Sequence, residues 1–251
     1  MAQDLNKIVT AGMVAIGDEL LVGSTKDKNI GYLAERLTAV GISLREVRIV
    51  GDDETAIVEA VNALRHRYHY VFTSGGIGPT HDDITAQSIS VAFGAPCIIS
   101  AEADKLLADF YKRKSVPYTA DRRLMARITA GATLIDNPVS VAPGFRIKNV
   151  FVMAGVPSVF SAMLDGVLPA LQKGEVLKSA SVVCPLPEGE IGTLLAEIQK
   201  GNPETRIGSY PKYENGKATL VLTIRGYSSQ AIEKARKAII SMIDSNVREI
   251  S

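Results

Sequence analysis

The stretch that decides the fold is Tyr70-Val71-Phe72-Thr73-Ser74-Gly75-Gly76-Ile77-Gly78-Pro79-Thr80-His81-Asp82-Asp83. Tyr70-Val71-Phe72 reads as a buried strand, and the glycines and proline after Ser74 stop it. A helix starting near Asp82 or Asp83 then carries Ile84, Ile89 and Phe93. Working outward, the same alternation repeats upstream. The apolar run Ile8–Gly17, centred on Val14-Ala15-Ile16, is a strand that stops at Gly17-Asp18. Asn29 caps a helix carrying Ile30, Leu33, Leu37 and Val40, spaced for one face, and Gly41 ends it. Val47–Val50 is a strand closed by Gly51-Asp52-Asp53, and a helix with Ile57, Val58, Val61 and Leu64 follows. Strands alternating with helices at this spacing predict an α/β fold, a parallel sheet covered on both faces.

Downstream, residues 100–130 read as helical and charged. Asn137-Pro138-Val139-Ser140-Val141-Ala142-Pro143-Gly144-Phe145 is a loop, and Val150–Ala154 another buried strand. A helix opens at Gly155-Val156-Pro157-Ser158 and reaches about Leu171. Gln172-Lys173-Gly174 marks the expected boundary, dividing the chain into 1–173 and a smaller α+β domain, 174–251. In the second part, Ala180–Cys184 is a strand and Gly189–Lys200 a helix. Thr205–Tyr210 and Ala218–Arg225 flank the hairpin signal Asn215-Gly216, and Ser228-Ser229 cap a last helix.

Composition bounds the function. The 251 residues are 46% hydrophobic and 22% charged, as in a globular protein, which excludes a disordered or fibrous chain. A net charge of +1 argues against a general nucleic-acid binder. No apolar run approaches the ~20 residues of a membrane span, and no cleavable leader is read at the start. Two cysteines, Cys97 and Cys184, lack metal-like spacing and fit a reducing, cytoplasmic compartment.

Open parallel sheets bind ligands beyond the carboxyl ends of their strands. That edge collects Asp18, Glu19, Asp27, Asp52, Asp53, Asp82 and Asp83 together with the glycine cluster. Glycine N–H groups leading into a helix N-terminus suit phosphate. The loop is neither a P-loop nor a dinucleotide fingerprint. Carboxylates beside an anionic ligand need a cation between them, which points to Mg²⁺ or Mn²⁺ and a phosphate ester or anhydride. The plainer alternative is a tight turn whose aspartates only cap helices. Gly76→Val is expected to put a side chain where phosphate sits. His81 is placed to assist proton transfer, whereas His66 and His69 are ordinary surface or capping residues. Lys112-Arg113-Lys114 with Arg122, Arg123 and Arg127 forms either a solvated face or a phosphate clamp.

These residues resemble a known family. Gly17-Asp18-Glu19-Leu20-Leu21-Val22-Gly23 with Asp27 and Asn29, Val50-Gly51-Asp52-Asp53, and Thr73 through Thr85 resemble the MoaB/Mog-type molybdopterin-binding domain. The version is that of CinA, the competence/damage-inducible protein A. Asn137 to Phe145 and Gly155-Val156-Pro157 also match, while Ala154 replaces a usual proline. Ile207-Gly208-Ser209-Tyr210-Pro211 is similar to the region after this domain in eukaryotic FAD synthases.

The resemblance implies a Rossmann-like fold and a homo-oligomer, a trimer in Mog-type proteins and often a dimer in CinA-type ones. It implies ATP- and Mg²⁺-dependent adenylylation of molybdopterin, pyrophosphatase action on ADP-ribose, or FAD hydrolysis. Catalysis then falls to Asp83 and Asp52. The metal (Mg, Mn or Co) falls to Asp18, Glu19, Asp52, Asp82 and Asp83. The nucleotide or pterin falls to Gly17, Thr73, Ser74, Gly75, Gly76, Gly78, Pro79, Thr80, Gly144 and Gly155. Neither the amidohydrolase domain of CinA nor the synthase half of FAD synthase is expected in a chain ending at Ser251.

Overall fold

The computed structural model describes residues 8–214 and 217–250. They fall into two compact units, 1–174 and 175–251. The first unit opens with β1 (Val9–Ile16), α1 (Asp18–Leu21), α2 (Asn29–Ala39), β2 (Ile42–Val50), α3 (Glu54–Arg65), β3 (Tyr70–Ser74) and α4 (Thr85–Phe93). It continues with β4 (Cys97–Ile99), α5 (Ala101–Arg113), α6 (Ala120–Arg123), β5 (Arg127–Thr129), β6 (Thr133–Ile135), β7 (Gly144–Ile147), β8 (Val150–Met153) and α7 (Pro157–Val167).

Six strands form the central sheet in the order β2-β1-β3-β8-β7-β6. The first four run parallel, and β7 and β6 complete the sheet antiparallel. Successive side chains of a strand point to opposite faces, so each strand feeds two cores. Met13, Phe72 and Phe151 pack with Leu33 and Leu37 of α2 and Phe160 of α7. Val14, Val71, Val150 and Val152 pack with Ile57, Val61 and Leu64 of α3 and Ile89 of α4. Burial on both faces explains why the strands read as unbroken apolar runs.

The region read as helical over 100–130 departs from that reading. Ser100 caps α5, accepting from the Ala103 N–H at 3.2 Å, but Arg127–Thr129 pairs antiparallel with Cys97–Ile99. Strands of three residues show no period. They are held by their partner, not by their own pattern.

The second unit comprises β9 (Lys178–Cys184), α8 (Glu188–Gly201), β10 (Thr205–Glu214), β11 (Lys217–Gly226) and α9 (Ser229–Ile250). Its antiparallel sheet has the order β10-β11-β9. Leu220, Leu222 and Ile224 alternate into a core with Ile191 of α8 and Ala235 and Ile239 of α9. The Asn215-Gly216 turn lies outside the described residues, while the strands around it pair from Thr205↔Gly226 to Glu214↔Lys217. Both cysteines are free. No helix among the described residues is long and apolar enough to cross a membrane.

Candidate functional site

Because β2 and β3 lie on opposite sides of β1, the chain leaves β1 and β3 in opposite directions. That reversal opens a crevice at their carboxyl ends. A cavity of about 510 Å³ occupies it. Its walls come from Ile16 and Gly17 at the end of β1, Asp52 after β2, Gly75 to Gly78 after β3, and Ala154 to Pro157 after β8.

The glycine loop is shaped by close approach. Gly75 has φ +110°, and a Cβ there would lie 2.2 Å from the Ile16 carbonyl oxygen. Gly76 has φ +67°, and its Cβ would lie 2.2 Å from Oγ1 of Thr85. Only glycine tolerates these positions. The Gly76→Val expectation therefore needs correction, because the added side chain meets Thr85 before any ligand. Thr85 in turn fixes the loop: its hydroxyl donates to the Gly75 carbonyl at 2.9 Å and its N–H to the Gly76 carbonyl at 2.9 Å. The N–H of Gly75 goes to the Met153 carbonyl at 3.1 Å. Those of Gly76, Ile77 and Gly78 have no acceptor among the described residues. Three consecutive unspent N–H groups on a cavity wall form a cradle for an anion.

The carboxylates divide into caps and others. Asp53 is a cap, accepting from the Ala56 N–H at 2.8 Å. Asp82 and Asp83 are not. Helix α4 starts at Thr85, and Ile84 stands at its N-cap with no side-chain bond. Oδ2 of Asp83 instead accepts from the Thr80 N–H at 2.8 Å and the Thr80 hydroxyl at 2.5 Å. Asp52 and Asp18 form a reciprocal pair: the Asp18 N–H donates to Asp52 at 3.0 Å and the Asp52 N–H to Asp18 at 3.2 Å. Burial pushes the Asp52 carboxyl above its ordinary pKa, and the charges of Asp18, Glu19 and Asp82 add to this, against the opposing Asp18 N–H bond.

Of the residues the sequence nominates, Gly17, Glu19, Asp52, Gly75, Gly76, Gly78, Asp82, Asp83 and Gly155 line the cavity. Asp18 holds Asp52 from outside it. Thr73 and Ser74 are buried below the loop. Thr80 serves Asp83, and Pro79 does not line the cavity. Gly144 belongs to β7, where a Cβ would lie 2.3 Å from the Val152 carbonyl oxygen, so its role is strand packing. His81 projects into solvent with its side chain 99% exposed, 3.9 Å from Asp82.

The basic residues resolve individually. Arg123 pairs with Asp104 at 3.1 Å, and Arg122 lies over the Tyr111 ring at 4.6 Å. Arg127 donates to the backbone carbonyl of Asp83 at 2.7 Å, a role the sequence reading missed. Also missed was the 137–142 loop. The buried Asn137 side chain binds the Val139 and Ser140 N–H groups, the Ser140 hydroxyl and the Ala142 carbonyl, so Asn137, Ser140 and Ala142 form a wall of the cavity. The sequence signal is there, since the stretch Asn137 to Phe145 carries part of the family resemblance, but that resemblance nominates only Gly144 from it.

Among the described residues, no three His, Cys, Asp or Glu side chains are grouped to hold a metal ion by themselves. The donor set fits a hard cation taken with a phosphorylated ligand, since Mg²⁺ commonly rests on one or two carboxylates plus substrate phosphates.

An open α/β sheet with a glycine cradle and carboxylates at its switch point belongs to the class of domains that take small ligands at the strand ends. Residues 12–173 match the family described as "Probable molybdopterin binding domain", and the chain belongs to that family. Residues 177–249 match the middle domain of FAD synthase. A protein of Pyrobaculum calidifontis is 32% identical over 253 residues, covering 94% of this chain and 96% of its own. A probable FAD synthase of Caenorhabditis briggsae is 30% identical over 259 residues. It covers 93% of this chain, which spans 49% of that longer protein. Among solved structures, the protein CinA of Thermoplasma acidophilum, described as of unknown function, is 29% identical with a TM-score of 0.60. It covers 65% of this chain and 98% of its own.

Proposed function

We propose that this chain is a divalent-metal-dependent nucleotide pyrophosphatase acting on a diphosphate-bridged nucleotide such as ADP-ribose or FAD. The observation that carries the reading is the meeting, on one cavity, of the unspent N–H groups of Gly76, Ile77 and Gly78 with Glu19, Asp52, Asp82 and Asp83. The N–H groups bind non-bridging phosphate oxygens. Asp52 and Asp83, supported by Asp18, Glu19 and Asp82, would hold Mg²⁺, Mn²⁺ or Co²⁺. Such an ion supplies charge neutralisation at the phosphoryl group and a more acidic water.

The chain's own groups fix that arrangement. Arg127 and Thr80 hold Asp83 in place, and the Asp18 N–H holds Asp52. Ile77, Met125 and Val156 add an apolar part to the cavity wall. In the reaction, water adds to one phosphorus, the bond to the bridging oxygen breaks, and that oxygen leaves with the second phosphate. AMP and a second phosphomonoester result.

One finding favours a second reading, transfer of an adenylyl group to a pterin: the family description names molybdopterin. In a third, the site binds a nucleotide without turnover. The test incubates purified protein and Mg²⁺, Mn²⁺ or Co²⁺ with ADP-ribose, FAD, or ATP plus molybdopterin, and separates the products. AMP released from a dinucleotide supports hydrolysis. An AMP-loaded pterin supports transfer. Metal-independent binding without product removes both enzymatic readings. A homo-oligomer in the cytoplasm remains part of the proposal, with the oligomer checked by light scattering.

A further inference from the structure

Asn29 is the first residue of α2 and was expected to cap it. Lys28 stands at the N-cap without a side-chain bond, and Oδ1 of Asp27 before it accepts from the Ile30 N–H at 2.7 Å. The Asn29 side chain is 4% exposed and turns away from the helix. Its Nδ2 donates to Oγ of Ser74 at 2.7 Å and to the carbonyl oxygen of Gly155 at 2.7 Å. Ser74 ends β3 and Gly155 follows β8, so one amide spans two neighbouring strand ends. Both strands continue into the loops that line the cavity. Those loops touch: a Cβ on Gly155 would lie 3.2 Å from Cα of Gly75.

The Asn29 Oδ1 is buried with no hydrogen-bond partner among the described residues. A stranded buried acceptor costs stability. What the amide supplies in return is its two donors, without which the Ser74 hydroxyl and the Gly155 carbonyl would lose their partner. Broken local rules of this kind belong where position matters more than stability. We propose that Asn29 is a positioning residue for the ligand site, its amide setting the spacing between the Gly75–Gly78 loop and the Gly155 loop. Asn29 touches neither substrate nor reacting atoms. It acts through the two loops, and its effect on turnover rests on the pyrophosphatase reading above.

The test uses the full chain with Asn29→Ala, and with Ser74→Ala as a milder variant that removes one of the two acceptors. Initial rates are measured with ADP-ribose and Mg²⁺, and backbone hydrogen exchange is followed at Gly75 and Thr85, whose N–H groups are bonded to the Met153 and Gly76 carbonyls. KM does not depend on how much enzyme is folded, so a purely structural role lowers only the apparent kcat. Positioning predicts a KM raised about tenfold for folded Asn29→Ala. It also predicts exchange at these two bonded amides faster by about tenfold or more, with Ser74→Ala between it and the parent. A folded Asn29→Ala with unchanged KM and unchanged exchange overturns the proposal. If Asn29→Ala does not fold, Ser74→Ala decides by the same two readouts. If the parent chain hydrolyses no dinucleotide, the pyrophosphatase reading fails, and the exchange measurement alone decides whether Asn29 holds the loops.

Discussion

The carboxyl edge of the first unit and the interior of the second are built by opposite rules. At the edge, two consecutive glycines take left-handed φ angles, three N–H groups lack acceptors among the described residues, and Asp52 is crowded by other carboxylates. In the second unit one amide organises several polar groups, although the buried Asn202 Oδ1 has no partner among the described residues. Gln199 alone donates to the carbonyls of Asn202 and Thr205 and accepts from the Ile207 N–H. Glu188 accepts from Ser209, and Lys178 donates to Ser229. Its sheet alternates Leu220, Leu222 and Ile224 into a continuous core. Left-handed glycines and crowded carboxylates meet where a ligand site is proposed. The second unit is instead organised around its apolar core, and this difference is open to direct attack.

The largest expected effect is at Asp83. In Asp83→Asn one amide oxygen still accepts from Thr80, so the loop keeps its shape. The charge that would hold a cation against a diphosphate is gone. Turnover should fall on the order of a thousandfold, since several kcal/mol of transition-state stabilisation are removed. The melting temperature should move by only a few degrees. A metal-titrated rate and a melting curve taken together decide it. Near-normal turnover at saturating metal in a stable variant would take Asp83 off the catalytic list.

Gly76→Val comes next, and its target is the fold. Positive φ for a β-branched residue and the contact with Thr85 together cost on the order of 3 kcal/mol or more. Reduced folding in a denaturant titration is expected. A fully stable variant with lost affinity would restore the direct phosphate reading of that position.

Leu222→Ala should destabilise by about 2–5 kcal/mol, because Leu222 is fully buried in the second core. KM for the dinucleotide should not change. A raised KM in the folded variant would dissolve the contrast between the two units.

The smallest effect is electrostatic. Hydrogen bonds from Arg123 and then Tyr118 hold the Asp104 carboxyl below its ordinary pKa. A depressed carboxylate stabilises the fold above the ordinary range, about pH 4, and loses that contribution as pH falls through its native value. Asp104→Asn should thus melt slightly lower than the parent at pH 7, and the gap should close below about pH 4. A gap independent of pH would mean that packing, not charge, sets the effect.

Much of this was legible in the chain itself. The order of strands and helices followed from apolar periodicity. The glycine loop, the hairpin around Asn215-Gly216 and the Ser228 cap, which accepts from the Ala231 N–H at 3.2 Å, followed from residues adjacent in sequence. The same local reading failed where one pattern had two causes. An aspartate before a helix reads as a cap whether it bonds the helix, as Asp53 does, or turns back to Thr80, as Asp83 does. Asn29 likewise has the chemistry of a cap and spends it elsewhere. The short strands β4 to β7 carried too few residues to show a period.

Near neighbours in the chain set the local backbone, because helix caps, turns and strand alternation are interactions among them. The sequence also brought the acidic and glycine-rich segments to one sheet edge, since parallel strands must end on the same side. What each of those side chains holds depends on contacts between distant segments. Asn29 meets Gly155 across 126 residues and Arg127 meets Asp83 across 44. Such partners are chosen by the packing of helices on the sheet, and no local pattern carries that information.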